Sequence, residues 1–127
     1  MQMGENYVLY PQRKVGNMIL TDDMTDDLIR GLRKIFDGNI QQIILFGSVA
    51  RMEAGPESDI DIAVILRQKI DINKRKEFLE WSAEFDMRYD KVFSFVDIEK
   101  EKMEQWGEIL PFYKNIQKEG IVLWKIA

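Results

Sequence analysis

Two stretches of the chain are apolar almost without interruption. Ile40 to Phe46 ends in the run Ile43-Ile44-Leu45-Phe46, which predicts a strand buried on both faces. Asp59 to Leu66 reads Asp-Ile-Asp-Ile-Ala-Val-Ile-Leu and predicts a second strand, polar only at its entry. Before them, Met24, Leu28, Leu32, Ile35 and Phe36 recur at helical spacing, so Thr21 to Gly38 predicts an amphipathic helix. Thr21 or Asp22 caps it, acids at 22, 23, 26 and 27 suit its positive end, and Gly38-Asn39 stops it.

After the second strand, Asp71 to Tyr89 predicts a long helix with Phe78, Ser82, Phe85 and Tyr89 along one stripe and Leu79 beside it. Asp90 to Val96 predicts a third strand and Glu99 to Trp106 a short charged helix. Ile109 to Glu119 predicts another helix, with Pro111 early and Ile109, Phe112 and Ile116 facing inward. Gly120 ends it, and Ile121-Val122-Leu123-Trp124 predicts a closing strand. Between the first two strands, Ser48 to Glu53 predicts a helical turn and Ala54-Gly55-Pro56-Glu57-Ser58 a loop. Residues 1–20 stay open: Tyr7-Val8-Leu9-Tyr10 and Asn17-Met18-Ile19-Leu20 read as short strands around Pro11 and Gly16, or as a loose arm. The expected organisation is that arm followed by one domain over 21–127, in the α/β (α+β) class, with a small mixed sheet flanked by helices.

Composition narrows the chemistry. The 127 residues contain no cysteine and no histidine. Disulfides, thiolate or imidazole zinc sites, Ser-His-Asp triads and Cys-His dyads are therefore excluded. A metal would have to be a hard, oxygen-liganded ion, magnesium first. The net charge of −4 argues against a broad nucleic-acid surface, and no sequence-specific nucleic acid is expected. No apolar run approaches the ~20 residues of a membrane span. Met1 to Asn6 has no signal-peptide pattern, so the expected location is cytoplasmic.

Candidate chemistry lies at the two strand ends. Asp59 and Asp61 are two apart on a strand, so both carboxylates project from one face while Ile60 and Ile62 take the other. Their roots lie about 6–7 Å apart, with a repulsion of about 2–3 kcal/mol at an effective dielectric near 20. A divalent cation turns that repulsion into attraction; taken alone, the pair also reads as a loop cap and a solvated strand residue. Gly47-Ser48 sits where a buried strand meets a helical turn, which is an anion site by its backbone N–H groups or an ordinary turn with Ser48 as cap. Together the two put a phosphate cradle beside a metal site. Arg51 either holds a phosphate or pairs with Glu53 or Glu57.

The run Leu45-Phe46-Gly47-Ser48-Val49-Ala50-Arg51, then Ser58-Asp59-Ile60-Asp61-Ile62-Ala63-Val64, resembles the DNA polymerase β-type nucleotidyltransferase superfamily. It is closest to the minimal, antitoxin-type domains that accompany HEPN toxins. The motif covers about a fifth of the chain, and the order of elements resembles the family over most of the rest. The resemblance implies the nucleotidyltransferase fold and transfer of a nucleoside monophosphate, AMP from ATP in the first instance, to a hydroxyl group. Gly47, Ser48 and Arg51 would bind nucleotide, and Ser58, which precedes the acids as the family's serine does, would order the loop. Asp59 and Asp61 would bind Mg²⁺, and a third carboxylate on the following strand would complete a site for two ions. By position that is Asp90, with Asp86 and Asp97 as rivals. The implied acceptor is a partner protein, such as a tyrosine on a HEPN-type toxin. HEPN nucleases use an Arg–His motif, so a chain without histidine cannot be that half of the pair. Trp81, Trp106 and Trp124 are either partner-facing or core and edge residues, and a homo-oligomer is not excluded. One departure stands out: the family's glycine after Ala-Arg is Met52 here, with Gly55 three residues on. That departure leaves a second expectation open, a non-catalytic module that neutralises its partner by contact.

Overall fold

The computed structural model describes residues 7–9, 19–55 and 57–126. Strand β1 (Tyr7–Leu9) is followed by α1 (Asp22–Phe36), β2 (Ile40–Phe46), the single turn α2 (Gly47–Ala50), β3 (Ile60–Leu66), α3 (Ile72–Tyr89), β4 (Phe93–Glu99), α4 (Lys100–Trp106), α5 (Pro111–Glu119) and β5 (Ile121–Ile126). The strands form one sheet in the order β1-β5-β2-β3-β4. Only β3 and β4 run parallel, with α3 as their crossover; the other pairs are antiparallel. This is the mixed α/β architecture expected from the sequence.

The helices cover both faces. On one, Leu28, Leu32 and Phe36 of α1 and Phe78 and Phe85 of α3 pack on Ile43, Leu45, Ile60, Ile62 and Val64. On the other, Met103 of α4 and Ile116 of α5 cover Ile44, Ala63, Ile65 and Ile98. Strand β3 is thus buried throughout except at Asp61, which is why its sequence is apolar on both parities.

Helix α1 starts one residue inside the expected segment. Thr21 is its cap, its hydroxyl accepting the Met24 N–H at 3.3 Å. Asp71 caps α3 in the same way, accepting the Lys74 N–H at 2.8 Å. Three expectations need correction. The α3 stripe runs through Phe78, Trp81, Phe85 and Tyr89, whose rings stack along the sheet, whereas Leu79, a third of a turn away from Phe78, is 58% exposed. In α5 Ile116 is buried and Tyr113 packs half-buried beside it, whereas Ile109 lies before the helix and Phe112 is exposed. Strand β4 begins at Phe93, not Asp90, because Asp90 ends α3 in a left-handed conformation, φ 52°. At the N-terminus, Tyr7–Leu9 pairs antiparallel with β5. Ile19 and Leu20 form a bend rather than a strand, and the expectations placed on residues 10–18 lie outside the described residues. No described helix is long and apolar enough to cross a membrane.

Candidate active site

Antiparallel pairing of β2 with β3 brings the end of one to the start of the other, with Phe46 opposite Asp61. The Gly-Ser turn and the acid pair, twelve positions apart from Gly47 to Asp59, therefore meet at one sheet end. Gly47 has φ 77°, and a Cβ there would collide with the Asp61 carboxylate. Glycine is demanded twice, by the backbone and by the acid lying against it. Ser48 and Val49 follow in the one-turn α2, whose first amides have no acceptor inside so short a helix.

Asp61 is half-buried on the α4/α5 face; Asp59, just before the strand, is exposed. Burial raises the Asp61 pKa above the ordinary carboxylate value, the Asp59 charge raises it further, and Arg51 opposes both. The two acids thus crowd negative charge onto one spot, as their spacing predicts. Hard carboxylate oxygens in that arrangement fit a magnesium ion completed by phosphate oxygens.

The loop between them is held by its own side chains. The Ser58 hydroxyl accepts the Gly55 N–H at 3.0 Å, and the Ser58 N–H donates back to the Gly55 carbonyl at 3.1 Å. Arg51 ends the turn, with Nε 3.0 Å from Glu53 and a terminal nitrogen 3.5 Å from Glu119 of α5. Glu119 was not foreseen, because only the packing of α5 beside α2 brings it there. Met52 has φ 62° and is 72% exposed. The left-handed position thus stays at residue 52, where the family's glycine would stand, and is not relocated to Gly55.

The third carboxylate is where sequence and structure part. Asp90 lies outside β4, at the end of α3. Asp97 is on β4 but faces α3, where Arg75 grips both its oxygens at 2.5 and 2.9 Å. Asp86, on α3, accepts the Phe93 N–H at 3.0 Å. Burial raises its pKa against the lowering hydrogen bond from Phe93, and the Asp59 charge adds to the rise. The β4 residue paired with Asp61 is Ser94, an exposed residue on the same face. Among the described residues no group of three or more acids gathers as a metal site. The signal for Ser94 was present in Phe93-Ser94-Phe95, where a polar residue between two inward rings faces the other side. The tryptophans divide: Trp124 is buried, and Trp81 and Trp106 are half-buried.

The chain is similar to several known proteins. The "Putative protein adenylyltransferase MJ0604" of Methanocaldococcus jannaschii is 29% identical over 98 residues, 77% of this chain and 92% of that protein. A second protein of that organism, "Putative protein adenylyltransferase MJ0141", is 23% identical over 65 residues, 51% of this chain and 66% of its own length. In fold, the chain resembles one in the crystal structure of a toxin-antitoxin with AMP-PNP, with TM-score 0.58, 24% identity and coverage of 80% and 73% of the two chains. It also resembles a chain in a tri-AMPylated Shewanella oneidensis HEPN toxin in complex with MNT antitoxin, with TM-score 0.52, 23% identity and coverage of 80% and 70%. The family model described as "Polymerase beta, Nucleotidyltransferase" matches residues 31–126, which spans the turn, the acid pair and every strand from β2 to β5, so the chain belongs to the polymerase β-type nucleotidyltransferase family.

Proposed function

We propose that this chain transfers AMP from ATP to a hydroxyl group on a partner protein, releasing pyrophosphate. The observation that carries the reading is the packing of the Asp61 carboxylate against the α-carbon of Gly47, which joins the Gly-Ser turn to the acid pair. The backbone amides of Gly47 and Ser48 would receive the outer phosphates, and Arg51 would exchange its long contact with Glu119 for phosphate oxygen. Asp59 and Asp61 would hold a magnesium ion, which supplies charge neutralisation for the triphosphate and the leaving pyrophosphate. The acceptor oxygen forms its bond to the α-phosphorus in line as the bond to the bridging oxygen breaks, and the hydroxyl proton is lost to water. Ser58 keeps the loop in place while this happens. Asp90 has no part in this reading, since it lies off the strand that faces the acids.

The names of the curated relatives support a protein acceptor, and a structural neighbour holding an AMPylated HEPN toxin beside an MNT antitoxin supports a HEPN-type toxin as that partner. The test is magnesium-dependent release of pyrophosphate and labelling of such a partner by radiolabelled ATP. Asp59→Ala with Asp61→Ala is expected to lower both by at least about a hundredfold; unchanged labelling in that variant ends the proposal. One observation favours a second reading. Ser94 occupies the place opposite Asp61 where a third carboxylate was expected, and a chain that silences its partner by contact alone needs none. Neutralisation of the partner without any labelling would select it.

A further inference from the structure

Phe46 is the last residue of β2 and the cross-strand partner of Asp61, so its ring lies beside the carboxylate on the α4/α5 face. On that ring stands Phe112, in the first turn of α5, edge-on with centroids 5.9 Å apart and planes at 89°. Tyr113 meets Phe112 in a second edge contact at 5.4 Å. Phe112 is nevertheless 47% exposed, and its neighbours Leu110 and Ile109 are 40% and 65% exposed. Packing alone does not ask for this. The face of α5 that seals the core is made by Ile116 with Tyr113 beside it, whereas Phe112 leaves much of its ring open at the sheet end where Gly47 and Asp61 meet.

We propose that Phe112, backed by Phe46 and bordered by Leu110, is the stacking platform for the base of the bound nucleotide. The inference rests on the reading of Gly47-Ser48 and Asp59/Asp61 as the triphosphate site, since those groups would anchor one end of the nucleotide at the sheet end where Phe46 pairs with Asp61. Phe46 directly precedes the anchoring turn, so the platform and the phosphate end are joined by one peptide bond and one ring contact. The segment from Ile109 to Tyr113 reads Ile-Leu-Pro-Phe-Tyr. Its side chains carry a single hydrogen-bonding group, the Tyr113 hydroxyl, so base recognition here is by π-face and not by edge. Purines are then held more tightly than pyrimidines, and adenine and guanine nearly alike.

The experiment measures calorimetric affinities of Mg-ATP, Mg-GTP, Mg-CTP and magnesium tripolyphosphate for the wild type, Phe112→Ala and Phe112→Trp. The expected result is a loss of roughly 5- to 150-fold in ATP and GTP affinity in Phe112→Ala. Tripolyphosphate affinity stays unchanged, and Phe112→Trp keeps or improves nucleotide binding. Equal weakening of tripolyphosphate, or unchanged ATP affinity in Phe112→Ala, overturns the platform while leaving the triphosphate site standing. Retained ATP affinity with lost transfer to the partner also overturns it and assigns the ring to the acceptor. A wild type that binds neither ATP nor tripolyphosphate overturns both, and the fault then lies in the proposed function.

Discussion

Met52 shows how one backbone angle connects a family pattern to energetics. A φ of 62° is a region that side chains with a Cβ enter at a cost of roughly 1–2 kcal/mol. Glycine enters it freely, but gains freedom in the unfolded chain worth roughly 0.5–1 kcal/mol. The methionine side chain is exposed and contributes little packing. Met52→Gly should therefore leave the protein as stable as before, or up to about 1.5 kcal/mol more stable, by denaturant midpoint. A loss of more than that would mean that the side chain makes contacts that outweigh the strain. Gly47 is the opposite case. There the angle and the Asp61 carboxylate both require glycine, so the position has no alternative occupant.

At the scale of elements, α1 crosses α3 where Gly31 meets Trp81. A Cβ at Gly31 would come within 2.5 Å of the indole nitrogen. The indole has little room to move, being stacked on Phe85 at 5.0 Å and tilted against Phe95 at 5.2 Å. Two effects compete in Gly31→Ala. Helix propensity favours alanine by about 1 kcal/mol, and overpacking costs about 1–3 kcal/mol. Overpacking should win, with a net loss of about 1 kcal/mol in chemical denaturation; a gain would show that Trp81 repacks freely. The crossing is further held by Asp27, whose carboxylate accepts from Arg88 and from the Tyr89 hydroxyl, both at 2.6 Å. That element pair therefore positions β4 through the end of α3, where Asp86 takes the Phe93 N–H.

Over the whole molecule, acidic groups divide by their surroundings. Burial tends to raise the Asp27 pKa, but hydrogen bonds from Tyr89 and Arg88 outweigh it and hold the value low. Asp61 and Asp86 are raised, mainly by burial and then by Asp59. A raised carboxylate binds its proton more tightly folded than unfolded, so its contribution is full below the ordinary value of 3.8 and is lost as pH rises through the raised value. Asp27 works the other way and matters only on acidification below that ordinary value. Metal-free protein should therefore lose stability as pH rises from mildly acidic to neutral, read from midpoints across a pH series. Asp61→Asn should flatten that slope, and an unchanged slope would remove Asp61 from the account.

Much of the fold and part of the candidate site were legible in the chain. Apolar runs marked β2 and β3, helical spacing marked α1, and local spacing set Gly47-Ser48 and the Asp59/Asp61 pair at two strand ends, because burial on both faces and strand alternation are written residue by residue. The register of β4 was not local. Asp90 has the same strand parity as Ser94, yet it ends α3 in a left-handed turn, and the strand begins three residues later. Which residue faces Asp61 was then decided by how β3 and β4 slide against each other. Likewise Phe112 reads as core by its period, yet it stands edge-on to Phe46 and stays exposed. Sequence determined which elements form and which groups can do chemistry, since both follow from neighbours along the chain. The partners that those groups meet were settled by contacts between distant elements, which no local pattern encodes.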